Sequence, residues 1–457
     1  MAESTTLAQQ TPLVAGGRSL ADVSADVQRH VLGRAPAAWW VLFSVALAAL
    51  VVGAAAVGYL LTTGIGVWGL NRSVGWAYDI TNFVFWIGIG HAGTLISAIL
   101  LLFRQRWRTG VNRVAEMTTI FAITCAAIFP IMHLGRPWLF YWVFPLPNTR
   151  GPLWINFNSP LTWDVVAIST YFSISVLFCY LGLLPDLASL RDAAVGRRRL
   201  LFGVLSLGWN GSQRTWFNYE RTCVLMAGLA TPLVVSVHSV VSFDFAVSLV
   251  PGWHTTIFPP YFVTGAIFSG MAMVLALLIV VRRAMALESY ITARHIDAMC
   301  KIMLATSLLL GLVYLIEIAT AMLSDHSTER FVLLVRMGGP LAWGYWLTIV
   351  CNALVPQLLW FHAVRHHFAS VFAIAVVATV GMWLERFVII VSALERDFLP
   401  ASWVDYLPTR FEVATLVGGF GLFFTLFLLF CRLLPIVSIS ETKGVLARQD
   451  VERERGP

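Results

Sequence analysis

The chain has 457 residues, of which 58% are hydrophobic and only 12% are charged. A soluble protein carries about twice that share of charged residues, so the composition excludes a soluble enzyme and indicates an integral membrane protein. The formal charge of +7 does not indicate nucleic-acid binding, because the basic residues lie in short connections between apolar runs and form no stripe.

The two ends of the chain differ from its middle. Residues 1–38 are polar and lack the apolar core and cleavage site of a signal peptide. We expect them to form an uncleaved, mostly disordered cytoplasmic tail. Residues 39–434 are expected to form one polytopic membrane domain, and residues 435–457 a second cytoplasmic tail.

The middle of the chain contains runs long enough to span a membrane, which takes roughly 20 mostly apolar residues. Ten such runs lie near 39–63, 81–103, 114–134, 162–184, 220–247, 260–281, 300–322, 339–361, 368–394 and 410–434. They predict an all-α membrane protein of about ten transmembrane helices. The middle eight would form two four-helix bundles, and the first and tenth would lie at the periphery. The arginine-rich connection 186–219 is either an amphipathic surface helix or an irregular loop.

The distribution of basic residues predicts the orientation of these helices. If both termini are cytoplasmic, most of the 31 Lys and Arg residues lie on the inner side, as the positive-inside rule requires. At a rise of about 1.5 Å per residue, most ionisable residues of the helices then lie in the outer third or at the outer edge of the hydrocarbon. They are Asp79, His133, Asp164, His238, Asp244, Glu317, Glu385 and Arg386.

Two ionisable residues depart from this bias. His91 is expected in the middle of the second helix, and Glu116 near the inner end of the third. Because charge at the bilayer centre is costly, both are expected to face the interior of a bundle. His91 lies among glycines, and it is either a haem ligand, a proton relay or a hydrogen-bonding group between helices. No helix carries the paired histidines of a cytochrome b.

The residues of the outer cluster suit the oxidation of a quinol, which releases two protons and two electrons. His133 is a suitable first proton acceptor, since the unperturbed pKa of histidine is about 6.5. Asp164 would orient it or take the second proton. Asp244 lies between two phenylalanines, where an exposed acid would be poorly placed. Structural explanations remain open: His133 would also suit the carbonyl end of a helix, and Asp164 the first turn of one.

The six cysteines lie far apart in separate apolar runs and show no metal-ligand spacing, so no metal site is expected in this chain. The connection between the third and fourth runs, residues 134–159, is dense in aromatic residues and proline, which is typical of a membrane interface.

Four segments carry a resemblance to a known family. They read WGLN at 68–71, DITNFVFWIGIGHAG at 79–93, FPIMHLGRPW at 129–138 and SPLTWD at 159–164. In combination they resemble the polysulfide-reductase membrane-anchor family, also called NrfD-like. Within it, the long chain with an extra first and last helix is most similar to the NrfD-like membrane proteins of alternative complex III.

This resemblance implies a quinol-oxidising subunit of a respiratory or photosynthetic complex in a bacterial plasma membrane, with no prosthetic group of its own. The expected ligand is a quinol, menaquinol in preference to ubiquinol. Electrons would pass to an iron-sulfur subunit on the outer face and then to c-type haem subunits. A second homologous membrane subunit and lipid are further expected partners.

The resemblance also implies roles for particular residues. The quinol pocket would be formed by His133, Asp164 and Asp244. Supporting residues around it would be Arg136, His238 and Arg386. A proton route would involve His91, Glu116, Glu317 and Glu385. The alternatives are a secondary ion or solute transporter and a passive membrane anchor for an oxidoreductase.

Overall fold

The computed structural model describes residues 12–143 and 157–454. All regular secondary structure in these residues is helical. The helices are, in chain order, α1 (Leu20–Leu32), α2 (Ala37–Thr63), α3 (Tyr78–Leu102), α4 (Asn112–His133), α5 (Pro160–Ala193), α6 (Arg197–Leu205), α7 (Gln213–Ala246), α8 (Phe258–Ala284), α9 (Ala293–Leu323), α10 (Ser327–Gly338), α11 (Ala342–Ile349), α12 (His362–His366), α13 (Phe368–Glu395), α14 (Arg410–Leu433) and α15 (Ile439–Glu454). Half of the aromatic connection, residues 144–156, lies outside the described residues.

Nine helices of this described part are long and apolar enough to span a membrane: α2, α3, α4, α5, α7, α8, α9, α13 and α14. The chain is therefore an all-α, multi-pass membrane protein, as its composition indicates.

The run predicted near 339–361 is a broken helix, so the regular spans number one fewer than predicted. After α11 the chain continues as a π-helical turn (Val350–Leu354) and a 3-10 turn (Val355–Trp360). Pro356 explains the break, because it has no amide hydrogen for the Asn352 carbonyl four residues earlier. The Ser307 hydroxyl donates to that carbonyl instead, at 2.6 Å.

The spans form the predicted groups. Helices α3, α4, α5 and α7 pack together, α8, α9, α11 and α13 pack together, and α8 joins the groups through contacts with α3 and α7. The first and last spans, α2 and α14, pack on each other at the edge. Their backbones approach closely at two glycines, since a Cβ atom on Gly53 would overlap the Cα atom of Gly418.

Successive spans alternate in direction because consecutive helices cross the membrane in turn. Helices α2, α4, α7, α9 and α13 therefore finish at the same end of the bundle at which α3, α5, α8 and α14 begin. We call it the His133 end, after the last residue of α4. The other end, where α4 begins, is called the Glu116 end.

The N-terminal tail is more ordered than predicted. Residues 20–32 form α1, whose first turn is closed by a capping box between Ser19 and Asp22. Its buried face consists of Val23, Val27 and Val31. The helix packs against α5, α14 and α15. The expectation of a mostly disordered tail is therefore wrong for this segment, because valines at helical spacing give it an apolar face to bury.

The arginine-rich connection contains the surface helix that was one of its two possible structures. Helix α6 buries Phe202 and exposes Leu200, Leu201 and Val204 beside its arginines. Exposed apolar side chains next to basic ones suit a helix lying at a membrane surface.

Candidate functional site

His133 contacts Asp79 at the His133 end of the bundle. The Nδ1 atom of His133, the last residue of α4, is hydrogen-bonded to Oδ2 of Asp79 in the first turn of α3. Asp79 is fully buried, whereas the His133 side chain is 25% exposed. A carboxylate accepts this bond, so the proton lies on Nδ1 and the other ring nitrogen, Nε2, is free to accept a proton.

The chain around His133 ends the helix sharply. Gly135 has a φ of +67°, a left-handed conformation that favours glycine, and its amide donates to the Met132 carbonyl at 2.9 Å. A Cβ atom there would lie 3.3 Å from Ile65. The next residue, Arg136, is exposed at this end of the bundle. The His-Leu-Gly-Arg segment thus holds the histidine at a helix terminus.

A loop and the start of α14 cover the Asp79 side of this pair. The Glu412 carboxylate accepts from the Gly69 amide at 2.8 Å and from the Tyr406 hydroxyl at 2.5 Å. Burial, followed by the Glu412 contact and the charge of Asp79, raises the pKa of Tyr406. The tyrosine therefore stays protonated and donates. Gly69 admits no side chain, because a Cβ atom would overlap the Leu407 carbonyl oxygen.

Asp164 and Asp244 form a carboxyl pair at the same end. Asp164 lies in the second turn of α5 and Asp244 near the end of α7, and their side chains are within hydrogen-bonding reach. A hydrogen bond between two carboxyl groups requires a proton on one of them. One oxygen of each, Oδ1, is buried without a hydrogen-bond partner in the described residues. The pair therefore has unused capacity to accept a hydrogen bond.

An apolar groove of about 330 Å³ runs along α2, α4 and α14. Its walls include Gly53, Ala54 and Val57 of α2, and Phe129 and Met132 of α4. These last two precede His133 by four residues and one residue. The groove therefore ends beside the histidine, and its lining suits a hydrocarbon chain.

His91 and His238 contact each other in the interior. Their ring centroids lie 4.5 Å apart, which leaves no space for a haem between them. The ring nitrogens of His91 contact the carbonyls of Ile87 and Val234 at 2.8 and 2.7 Å. Neither ring nitrogen of His238 has a hydrogen-bond partner among the described residues. Next to them, Arg386 lies over Phe262, which packs on His238.

Glu385 is the centre of a buried polar network in the second group of helices. It pairs with the adjacent Arg386 at 3.1 Å and accepts hydrogen bonds from the Tyr314 hydroxyl and from Asn352. Glu317 is paired with Arg336 of α10 at 2.7 Å. A cavity of about 20 Å³, large enough for one water molecule, joins the Glu317 and Glu385 groups.

Glu116 lies in a different network at the opposite end of α4. It pairs with Arg113 at 3.1 Å, and Arg113 also pairs with Asp186 at 3.1 Å. All three side chains are buried.

The structure thus brings the predicted residues together in pairs rather than in one cluster. Asp164 meets Asp244, His91 meets His238, and Glu385 meets Arg386. The first predicted acceptor, His133, meets Asp79, a residue whose position at this end follows from the sequence but whose pairing does not. The polar partners Tyr314, Asn352, Arg113 and Arg336 were also missed. An acid at the first turn of an apolar helix could have indicated Asp79.

The part of the chain that holds these residues matches a family model described as "Polysulphide reductase, NrfD", over residues 66–396. The match begins just before the Gly69 loop and ends just after α13. It therefore includes Asp79, His133 and the Asp164–Asp244 pair.

Three relatives are similar over shorter or longer parts of the chain. A Halobacterium salinarum protein described as a membrane subunit of a dimethyl sulfoxide reductase is 24% identical, over 85% of this chain and 89% of its own. The Hdr-like menaquinol oxidoreductase integral membrane subunit of Archaeoglobus fulgidus is 22% identical, over 83% and 89%. A selenate reductase subunit of Mesobacillus selenatarsenatis is 24% identical over about half of each chain, 50% and 53%.

Proposed function

Because this chain belongs to the polysulphide reductase NrfD family, we propose that it is the quinol-oxidising membrane subunit of a multisubunit oxidoreductase. The proposal rests on the His133–Asp79 pair at the end of an apolar groove. The substrate would be a quinol with a long isoprenoid tail, and the name of the Archaeoglobus relative favours menaquinol.

The first proton would pass to His133. With Nδ1 bonded to Asp79, the Nε2 atom accepts the proton of one quinol hydroxyl, and the Asp79 carboxylate stabilises the imidazolium that forms. The histidine is partly exposed, so the proton can leave again towards water.

The second proton would pass to the Asp164–Asp244 pair. Helices α4 and α5 pack against each other, which keeps both pairs at the same end of the bundle. The carboxyl oxygens without partners in the described residues can accept the second hydroxyl. Loss of two protons and two electrons converts the quinol to the quinone. The electrons would leave through an iron-sulfur subunit docked at the His133 end, on the outer face of the plasma membrane, and then through c-type haem subunits.

The remaining predicted residues would support this site. Arg136 is exposed at the His133 end, where an acidic partner surface or the quinol can reach it. His238 and Arg386 lie deeper, on either side of Phe262. We assign to both a role in setting the charge around the Asp244 end of α7.

Proton movement across the membrane is a second proposed function. The Glu385 network extends from the Glu317–Arg336 pair through Asn352 and Ser307 to Gln357, which donates to Ser307 at 3.1 Å. Such a row of polar side chains would lead from the His133 end towards the Glu116 end. His91 and Glu116 would serve a second row through the first group of helices.

The test is quinol oxidation by the assembled complex reconstituted in lipid. His133→Ala and Asp164→Asn should each assemble, and His133→Ala should lower turnover by roughly 10²–10⁴-fold, the range for loss of a general base. Unchanged turnover in both variants would contradict the proposal and favour a passive anchor. Uptake of a solute by the isolated subunit in liposomes would favour a transporter.

A further inference from the structure

A large cationic cavity lies at the Glu116 end, away from the site described above. Its volume is about 580 Å³, and it is formed where α3 ends and where α4, α7 and α15 begin or pass. Five arginines line it: Arg104, Arg106, Arg108, Arg113 and Arg448. The acidic residues of the lining number three, Glu116, Glu220 and Glu441. The lining is therefore net positive.

The arginines of this cavity differ in how far they are neutralised. Arg106 pairs with Glu452 at 2.7 Å, and Arg108 with Glu441 at 2.8 Å. Within residues 12–143 and 157–454, Arg104 and Arg448 form no ion pair. Arg113 is 2% exposed, and its Nε atom has no hydrogen-bond partner in the described residues. A buried donor left without a partner in a polar cavity is a costly arrangement that an acceptor ligand would relieve.

Arg104 is also held in an unusual backbone conformation. It follows α3 with a φ of +53°, where glycine is the favoured residue. The Arg104 amide donates to the Leu101 carbonyl at 2.9 Å and the Gln105 amide to the Leu100 carbonyl at 2.8 Å, so the turn is a regular helix end. An arginine at a glycine position is retained at a conformational cost, which indicates that its side chain is used.

The cavity also has an apolar wall. Leu101, Phe178 and Val224 line it, and Val224 is half exposed on the surface of a membrane-spanning helix. A soluble anion would find no use for this wall. An amphiphile would place its charged group among the arginines and its chains along the wall.

We propose that this cavity binds the phosphate-bearing head group of an anionic phospholipid. The phosphate oxygens would accept from Arg104, Arg448 and the free Nε of Arg113, and the acyl chains would lie against Leu101, Phe178 and Val224. The occupant would hold together the ends of α3 and α7 and the C-terminal helix α15, all of which border the cavity.

The experiment measures phosphatidylglycerol bound to the purified, delipidated complex by native mass spectrometry. The test variant is Arg104→Gly with Arg448→Gln, in which glycine relaxes the backbone while the charge is lost. The matched control is Arg283→Gln with Arg294→Gln, two exposed arginines of the same end that lie outside the cavity. Phosphatidylcholine and inorganic phosphate are titrated in parallel.

The test variant should bind phosphatidylglycerol roughly 30-fold more weakly than the unmodified complex, as expected for the loss of two interfacial arginines. The control should bind it within about twofold of the unmodified complex. Phosphatidylcholine and inorganic phosphate should not displace it. Equal binding by both variants would overturn the proposal. Displacement by inorganic phosphate at equal concentration would overturn it too, and would assign the cavity to a soluble anion.

Discussion

Asp164 and Asp244 place their carboxyl groups within hydrogen-bonding reach of each other, although they come from two different membrane-spanning helices. Each keeps one buried oxygen without a partner in the described part of the chain. Two acids in contact in an apolar surrounding share a proton, because two negative charges so close together repel strongly. This pair can therefore exchange a proton with a substrate without creating two buried charges.

The carboxyl pair should act as one unit. We expect Asp164→Asn and Asp244→Asn to lower quinol oxidation by similar factors, and the double variant to lower it little further, because either change alone removes the shared proton. Turnover of the four proteins gives a double-mutant cycle, with a coupling of about 0.5–3 kcal/mol expected for residues in contact. Strictly additive effects would show that the two acids work separately.

Asp79 should act by positioning His133. Asp79→Asn no longer fixes which ring nitrogen carries the proton, so kcat for quinol oxidation should fall while KM changes little. The loss should be smaller than that of His133→Ala, because the imidazole remains. Asp405→Asn is the control, since Asp405 is an exposed acid at the same end that pairs only with Arg396 among the described residues. An Asp79→Asn protein with the kcat of this control would exclude the positioning role.

The apolar groove should bind the quinol tail. Ala54→Phe fills the groove from α2 and should raise KM for a long-tailed quinol, while a short-tailed analogue keeps its KM. The neighbouring Ala55 is exposed and does not line the groove, so Ala55→Phe should change neither value. If Ala54→Phe oxidises both quinols as the unmodified complex does, the tail lies elsewhere.

Glu385 should affect proton movement more than electron transfer. Glu385→Gln keeps the hydrogen bonds of the network but removes its titratable group, so protons moved per quinol should fall while quinol oxidation continues. Proton release by reconstituted vesicles measures this ratio. Glu288→Gln, at an exposed acid, is the control. An unchanged ratio in Glu385→Gln would remove this residue from any proton route.

Much of the fold could be predicted from the sequence, because lipid demands long apolar helices and makes their number and direction visible. Where the prediction failed, side-chain details decided the outcome. Pro356 breaks the eighth run, and Val23, Val27 and Val31 give the N-terminal segment a buried face. A count of apolar residues is insensitive to both effects.

The site was less predictable than the fold. Depth along each helix could be estimated, so the shared end of His133, Asp164 and Asp244 followed from the sequence. Rotation of each helix about its axis could not, because nearly every face of these spans is apolar. Pairing depends on that rotation, which is why the contact of His133 with Asp79 emerged only from the packing of α3 on α4.

Binding of a quinol at His133 can be observed directly in a cryo-electron microscopy map of the assembled complex with a bound quinol analogue. We predict a ring oxygen within about 2.6–3.2 Å of His133 Nε2, with the tail along the groove between α2, α4 and α14. An analogue bound in another cavity, with no contact to His133, would show that the histidine is not the first proton acceptor.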